Sequence, residues 1–415
     1  MIDLLALKKE FENCPCGMKH ELKIKDIQIG SGKVKETGEI LKKNEFGKKL
    51  VLVADKNTLA VSEGILLSLK DFELSCKIYE NLREATTNEV EVIKGIIKDS
   101  DGVISVGTGS LNDICRKACA DLDLPLCIFA TAPSMDGFAS YSAPLTNGNF
   151  KITYPAKSPE VIIADTKILA KSPAFLKSAG FGDMVGKYVG LIDWQISHII
   201  SGEYYCEKVA NLTREATDKI MALADKITVE DEQTAQAVFE ALLLTGIGMS
   251  FTKTSRPASG TEHILSHFWE CKKLLDGKLS DFHGKKVGVA TLLILKEYER
   301  LAKLKSVNAH HEVVDWADVY ENYGALQDEV KKLNTPNTIT DGIDPKKIEK
   351  NWQKIIDVVN SVPDYQTVYN AMKRAGCATT VEEIEVTERL KEQGLKYHPY
   401  MRYRLSLMRL KNMIN

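Results

Sequence analysis

The sequence predicts an α/β half followed by an all-α half, and two patterns along its 415 residues support this. Up to about residue 170, short and continuously apolar runs alternate with helix-length segments. Strands that are apolar on both faces are typical of a parallel sheet covered by helices on each side. From about residue 171, long helical patterns dominate and strand signals nearly vanish. We therefore expect an α/β, Rossmann-like, mostly parallel domain over residues 1–170 and an all-α domain over residues 171–415, with the active site in the cleft between them.

The individual elements follow from hydrophobic periodicity. Five continuous apolar runs predict the main sheet, at residues 50–54, 74–79, 102–106, 126–130 and 161–164. An edge strand before the sheet is predicted by partial alternation of apolar and polar residues at Leu22, Ile24, Ile27 and Ile29. Helices are predicted at residues 89–98 and 112–122, and then, beyond the boundary near Lys171-Ser172-Pro173, at 174–200, 206–223, 231–249, 287–303 and 345–358.

Composition excludes several classes of protein. A net charge of −2 argues against nucleic acid or anionic lipid as the main partner. No run of 18 apolar residues occurs, so no membrane span is expected, and the N-terminal residues lack the order of a signal peptide. The nine cysteines are odd in number and scattered, which indicates reduced thiols in the cytoplasm rather than a disulfide framework.

A short glycine-containing turn predicts a phosphate site in the first half. The strand at 102–106 runs into Gly107-Thr108-Gly109-Ser110-Leu111-Asn112-Asp113 and then into a helix, which Ser110 or Asn112 is expected to cap. Glycines permit close approach of a ligand, and a helix N-terminus offers unpaired N–H groups to a pyrophosphate. The third glycine of the dinucleotide fingerprint is missing, so a purely structural turn remains an alternative.

Two other loops belong at the same edge of the predicted sheet. Asp55 follows an earlier strand, where a ribose-binding carboxylate would lie, although it could equally be a helix cap. The segment 130–140 follows another strand and is rich in small hydroxyl and turn residues. Because the carboxyl ends of parallel strands meet at one edge, these loops together predict a dinucleotide site.

Three histidines and one acid predict a metal site in the second half. His263 and His267 are four residues apart and share a helix face, and His283 follows them in the sequence. Asp183 lies upstream, where it is expected to open a long helix or to cap it. Imidazoles and a carboxylate suit a divalent metal, and three protein ligands leave a position open for catalysis. Glu262 precedes the first histidine, so the zinc-protease pattern is absent. A metal beside a nucleotide site predicts a dehydrogenase.

A second metal signal is weaker. Cys14-Pro15-Cys16-Gly17-Met18-Lys19-His20 could be half of a metal knuckle, but no second Cys/His pair follows at finger spacing. We interpret the segment as a tight turn with incidental thiols.

These motifs resemble those of bacterial sn-glycerol-1-phosphate dehydrogenases, within the superfamily of iron-containing alcohol dehydrogenases, glycerol dehydrogenases and dehydroquinate synthases. The resemblance runs from about residue 51 to about residue 292, and the segment after about 305 fits less sharply. The Ser-Arg-Pro-Ala-Ser-Gly-x-Glu-His run from Ser255 to His263 is specific to this branch, because glycerol dehydrogenases lack the Ser-Arg-Pro. The other matching segments are 107–113, 131–137, 180–183 and 283–284.

The resemblance implies a cytoplasmic homodimer that reduces dihydroxyacetone phosphate to sn-glycerol 1-phosphate with NADH or NADPH and one zinc or nickel ion. It implies Asp183, His263 and His283 as metal ligands, and Asp136, Asp183 and His267 as substrate contacts. The implied nucleotide-binding residues are Asp55, Gly109, Ser110, Leu111, Asn112, Asp113, Thr131, Ala132, Pro133, Ser134 and Ser140.

Arg256, seven residues before His263, is expected to hold the substrate phosphate through its planar guanidinium, the alternative being a solvated loop arginine. A glycerol or polyol dehydrogenase on the same fold stays open as an alternative. Arg256 discriminates between the two, because an uncharged polyol has no use for a cation beside the metal. The Ser-Arg-Pro run argues against a dehydroquinate synthase. The intact metal set argues against a nucleotide sensor that has lost catalysis.

Overall fold

The computed structural model describes residues 2–415, and all eight strands of these residues lie in the first half of the chain. The strands are β1 (Asp26–Gly30), β2 (Lys49–Asp55), β3 (Glu73–Tyr79), β4 (Gly102–Gly107), β5 (Leu126–Ala130), β6 (Ser142–Asn147), β7 (Phe150–Pro155) and β8 (Val161–Asp165).

Six of the strands form one parallel sheet in the order β1-β8-β5-β4-β2-β3. The predicted strands and the edge position of β1 are confirmed, but β1 begins at Asp26, so Leu22 and Ile24 of the predicted edge strand lie before it. Along β2, Val51 and Val53 pack on one face of the sheet, and Leu50, Leu52 and Ala54 pack on the other. Burial on both faces explains why these strands are continuously apolar rather than alternating.

Sequence patterns missed the antiparallel hairpin of β6 and β7. Its strands contain Ser, Thr, Lys and Pro and lack the apolar run that marked the others. The turn Gly148-Asn149, with both residues at positive φ, was the available signal, because such dipeptides join hairpin strands.

Helices flank the sheet and then form the second half. The first seven are α1 (Leu4–Phe11), α2 (Lys33–Lys43), α3 (Lys56–Val61), α4 (Ile65–Ser68), α5 (Thr87–Ile97), α6 (Gly109–Leu122) and α7 (Thr166–Lys171). The others are α8 (Ala174–Ser201), α9 (Glu207–Met221), α10 (Glu232–Thr252), α11 (Thr261–Leu275), α12 (His283–Ala302), α13 (Trp316–Tyr323), α14 (Gln327–Asn334), α15 (Pro345–Val359), α16 (Tyr365–Arg374), α17 (Glu388–Tyr397) and α18 (Leu407–Leu410). The predicted fold class, a parallel α/β sheet followed by an all-α half, is confirmed.

Helix α10 is long and apolar enough to cross a membrane by length and composition, which the search for long apolar runs did not anticipate. However, 78% of its most apolar window is buried inside the protein. That environment is typical of a core helix rather than a lipid-facing one, so α10 is weak evidence for a span.

Helices α8 and α12 approach each other through glycines. A Cβ atom on Gly284 would lie 1.9 Å from the carbonyl oxygen of Ala179, and one on Gly182 would lie 2.5 Å from the carbonyl oxygen of Gly284. The two backbones are therefore in direct contact. The expectation that Asp183 opens or caps a helix is wrong, because α8 begins at Ala174 and continues through the glycines that this contact requires.

The glycine contact predicts a stability difference between two Gly→Ala variants. Gly284→Ala should destabilise the protein by about 1–3 kcal/mol, because the new methyl group overlaps backbone that cannot move away freely. Gly95→Ala is the matched control, since Gly95 lies in helix α5 with nothing within 4 Å of the added Cβ. It should be neutral or slightly stabilising. Urea unfolding measures both, and equal stability of the two variants would contradict the contact.

Candidate active site

A cavity of about 250 Å³ lies between the carboxyl edge of the sheet and the helices that follow it. It is lined by loops after β2, β4 and β5 and by residues of α11 and α12. Strands β2, β4 and β5 are neighbours in the sheet, so the three loops lie side by side as the sequence predicted. At the rim, the guanidinium of Arg83 lies 4.1 Å from the ring centre of Phe282, and both residues line the cavity.

The predicted nucleotide residues divide into two groups. Those that line the cavity are Asp55, Gly109, Ser110, Leu111, Asp113, Ser134 and Ser140. Those that are buried outside its lining are Asn112, Thr131, Ala132 and Pro133.

The start of helix α6 differs from the prediction. Thr108 is the N-cap residue and makes no side-chain cap, so neither Ser110 nor Asn112 caps the helix. The Ser110 hydroxyl donates to the carbonyl oxygen of Arg83, and Asn112 accepts a hydrogen bond from the buried Ser105 hydroxyl. The first turn of α6 therefore faces the cavity without a side-chain acceptor on its N–H groups, an arrangement that suits an anion.

Asp55 caps a helix and also lies at the cavity. Its Oδ1 accepts a hydrogen bond of 2.8 Å from the backbone N–H of Thr58, which completes a capping box at the start of α3. The same residue lines the cavity. Thr58 lines it too, and the sequence had not singled it out.

Asp183, His263 and His283 come together although they belong to three helices. One ligand atom from each lies within 4.8 Å of the others. The Nε2 atoms of His263 and His283 lie 3.5 and 3.9 Å from Oδ1 of Asp183. Asp183 is fully buried in the interior of α8, His263 lies in the first turn of α11, and His283 is the first residue of α12.

Neighbouring side chains orient this cluster. Nδ1 of His263 lies 2.5 Å from Oε1 of Glu262, and because a carboxylate only accepts, Nδ1 carries the proton. In the neutral ring, the Nε2 lone pair is then directed at the cluster, as in a metal ligand held by a carboxylate. The other oxygen of Asp183 accepts from the backbone N–H of Asp136 at 2.9 Å.

A buried lysine joins the two acids of the site. Nζ of Lys187 lies 2.8 Å from Oδ1 of Asp183 and 2.7 Å from Oδ2 of Asp136. Burial opposes the ionised form of Asp183, but Lys187 and the histidines outweigh it and lower the pKa of Asp183. Burial and the neighbouring Asp183 raise the pKa of Asp136. Asp183 is thus held as a carboxylate.

The predicted substrate residue His267 belongs to a second polar group in the same cavity. Burial lowers the pKa of His267 to about 4, so the ring is neutral at pH 7. Its Nδ1 lies 3.4 Å from Glu270, which also pairs with Lys151 at 3.1 Å and with Lys286 at 2.9 Å. All four residues line the cavity. Two lysines face one carboxylate, so this end of the cavity has an excess of positive charge.

The structure contradicts the role predicted for Arg256. Its side chain is buried and lies outside the cavity lining, and it pairs with both carboxylate oxygens of Glu203 at 2.7 and 2.5 Å. It also donates to the carbonyl oxygen of Leu405 and to Ser197. Both predictions for Arg256, a phosphate-binding residue and a solvated loop arginine, are therefore wrong, because its guanidinium is buried and already paired. From the same motif, Ser255 and Ser259 line the cavity.

Sequence analysis missed Lys187, Glu270, Lys286 and Lys151. Helical spacing could have found three of them, since Lys187 is four residues after Asp183, Glu270 is three after His267, and Lys286 is three after His283. Lys151 lies on β7 of the hairpin that the sequence did not reveal, so no local signal identified it.

Comparisons with known proteins show which family the chain resembles. The iron-containing alcohol dehydrogenase family profile matches residues 28–173. A glycerol-1-phosphate dehydrogenase (NAD(P)+) of Bacillus licheniformis is 30% identical, with 99% of this chain and 95% of the relative aligned. The same-named enzyme of Halalkalibacterium halodurans is 29% identical over 98% of this chain and 96% of its own. An archaeal alcohol dehydrogenase from a Red Sea brine pool superposes with a TM-score of 0.62 at 16% identity, over 91% of each chain.

The family profile and the sequence relatives place the chain among the dehydrogenases of the iron-containing alcohol dehydrogenase class. Within that class, near full-length similarity decides the branch. The chain belongs to the glycerol-1-phosphate dehydrogenase (NAD(P)+) family.

The contacts of Arg256 predict a structural role. Arg256→Ala should lower the free energy of unfolding by about 1–3 kcal/mol, because Glu203 and the Leu405 carbonyl lose a charged partner. Arg300→Ala, which removes an exposed pair with Glu297, should change it little. Urea denaturation followed by circular dichroism measures both. Unchanged stability of Arg256→Ala would show that its ion pair is not formed.

Proposed function

We propose that the protein reversibly reduces dihydroxyacetone phosphate to sn-glycerol 1-phosphate with NADH or NADPH. One observation carries this proposal: His263 and His283, which cluster with the buried Asp183, line the same cavity as the three loops at the carboxyl edge of the sheet, in a chain of this family. A single substrate in that cavity would reach both a metal and a nicotinamide. We also propose a cytoplasmic homodimer, as the resemblance implies.

The three clustered residues fit a divalent metal, for which we propose zinc or nickel. The Nε2 atoms of His263 and His283 face one buried carboxylate oxygen of Asp183. Nδ1 of His263 donates its proton to Glu262, which leaves Nε2 free to bind a metal. Three protein donors of this kind are typical of a catalytic rather than a structural site. When bound, the metal would polarise the substrate carbonyl and the nicotinamide would supply the hydride.

The chain's own residues would position the substrate. Asp136, held by Lys187, offers carboxylate oxygen to a substrate hydroxyl at the cavity wall. His267 is neutral and directs Nδ1 towards Glu270, so its Nε2 atom would be available for a hydrogen bond to the substrate. Fixing the substrate at two points selects the carbonyl face that receives the hydride.

Lys151 and Lys286 replace Arg256 as the proposed phosphate-binding residues. Both are buried and line the cavity beside His267, and Glu270 compensates only one of their two charges. A phosphate dianion would be attracted to the remaining positive charge. An uncharged polyol would gain nothing from it, which favours the phosphorylated substrate over the alternative of a glycerol or polyol dehydrogenase.

Metal removal should abolish turnover, and zinc or nickel should restore it. His283→Ala should bind metal much more weakly, because one of three protein ligands is lost. His311→Ala, at an exposed position, is the matched control and should retain metal and activity. Elemental analysis and NADH oxidation with dihydroxyacetone phosphate measure the two effects. Full activity of the chelated enzyme would exclude a catalytic metal.

Asp55→Ser should shift the cofactor preference towards NADPH. The carboxylate can accept from ribose hydroxyls but repels a 2′-phosphate, and serine still caps helix α3. Asp165→Ser changes the acid at the end of β8, which caps α7 but lies outside the cavity lining, so it should leave the preference unchanged. The ratio of kcat/KM for NADH and NADPH is the measurement. An unchanged ratio for Asp55→Ser would make Asp55 a helix cap alone.

Lys286→Ala should lower kcat/KM for dihydroxyacetone phosphate by about 30-fold or more, as expected for loss of a desolvated charge contact. Slow turnover of unphosphorylated dihydroxyacetone should be affected far less. The neighbouring Lys285 pairs with Asp281 and is not one of the proposed phosphate-binding residues. Lys285→Ala should therefore change the kinetics of neither substrate much. Equal losses on both substrates for Lys286→Ala would refute the phosphate contact. Chiral analysis of the product tests the stereochemistry.

A further inference from the structure

A second cluster of metal-type side chains lies outside the active-site cavity. Cys14, Cys16 and His20 of the N-terminal segment meet Cys206, the N-cap residue of helix α9. Cys206 is 186 residues from His20 along the chain. The sequence has no second Cys/His pair at finger spacing after the Cys14–His20 segment, and the fold supplies a single distant thiol instead.

The four donor atoms have the spacing of a tetrahedron. Every pair lies within 4.8 Å, with Sγ of Cys14 3.5 Å from Sγ of Cys206, and Nε2 of His20 3.2 and 3.6 Å from Sγ of Cys16 and Cys206. Zinc–sulfur bonds of about 2.3 Å and zinc–nitrogen bonds of about 2.0 Å at tetrahedral angles place sulfurs about 3.8 Å apart and nitrogen about 3.5 Å from sulfur. The observed separations are close to these edges.

The histidine is held in the form that a ligand needs. Its Nδ1 lies 3.1 Å from the carbonyl oxygen of Phe251, and a carbonyl only accepts, so Nδ1 carries the proton. The Nε2 lone pair of the neutral ring then faces the three sulfurs. A backbone carbonyl behind a histidine is the usual support of a metal-bound imidazole.

The surroundings are largely apolar, with Cys14 and Cys16 half-buried. The rings of Phe11 and Phe251 pack against His20 with centres 5.5 and 5.4 Å away, and the Tyr204 hydroxyl lies 3.2 Å from Sγ of Cys16. Cys206 and His20 are both buried. Four protein donors in such an environment leave no open coordination position, which is typical of a structural rather than a catalytic metal.

We propose that Cys14, Cys16, His20 and Cys206 bind a structural zinc ion that fastens the N-terminal segment to the helical half of the protein. The ion would join residues 14–20 to the start of α9 and, through His20, to the last turn of α10. Helix α10 leads through residues 253–260 into α11, which carries His263. This site is independent of the proposed active-site metal.

Metal content separates the two clusters. The purified full-length protein should contain about two metal ions per chain, Cys206→Ser about one and His283→Ala about one. Cys76→Ser, which removes an exposed cysteine on β3, should still contain about two. An unchanged content in Cys206→Ser would overturn the proposal.

X-ray absorption at the zinc edge of the unsubstituted protein, reconstituted with zinc, gives a second test that does not depend on variants folding. The active-site residues supply only nitrogen and oxygen, so sulfur neighbours at about 2.3 Å would identify the thiolate site. Absence of sulfur neighbours would overturn the proposal. So would a Cys14–Cys206 disulfide found by mass spectrometry of the non-reduced protein as purified, since the thiols would then be a redox pair.

Discussion

The site depends on the direct contact between the backbones of helices α8 and α12. Gly182 and Gly284 have no Cβ at the point where a side chain would separate the helices, and Asp183 and His283 are the next residue and the preceding residue in the two helices. The distance of 3.9 Å between their ligand atoms therefore follows from helix packing. Helix positions are stiff, because protein interiors are close-packed. A metal geometry set by two such helices is more precise than one set by loops.

A chain of buried polar contacts connects this helical pair to the sheet. Asp136 lies in the loop after β5, and its backbone N–H and carboxylate are both tied to α8, through Asp183 and Lys187. Isolated charges at this depth would be costly, and the pairing of two acids with one lysine makes their burial tolerable. Movement of that loop would disturb Asp183 directly. The loop after β5, which borders the cavity, and Asp183 are therefore mechanically coupled.

Local patterns were enough for most of the fold and for the residues that cluster around Asp183. Continuous apolar strands marked the parallel sheet, and spacing within the chain marked His263 and His267. The failures concern contacts between distant segments. Arg256 was assigned to a phosphate because its partners, Glu203 and Leu405, lie 53 and 149 residues away. Cys206 was not linked to the Cys14–His20 segment for the same reason. Lys151 was missed because it lies on the polar hairpin of β6 and β7. The pairing between these two strands defines the hairpin, and their composition does not reveal it.

The contact between Arg83 and Phe282 at the rim has a kinetic consequence. It bridges a loop of the sheet half and the residue before α12, and a ligand that entered between these two side chains would have to separate them. A partly exposed cation–π contact contributes about 0.5–1 kcal/mol, so it favours the paired arrangement of Arg83 and Phe282 over the separated one by only about two- to fivefold. Loop motions of this size occur in nanoseconds to microseconds. A contact of this strength would therefore not limit the exchange of ligands.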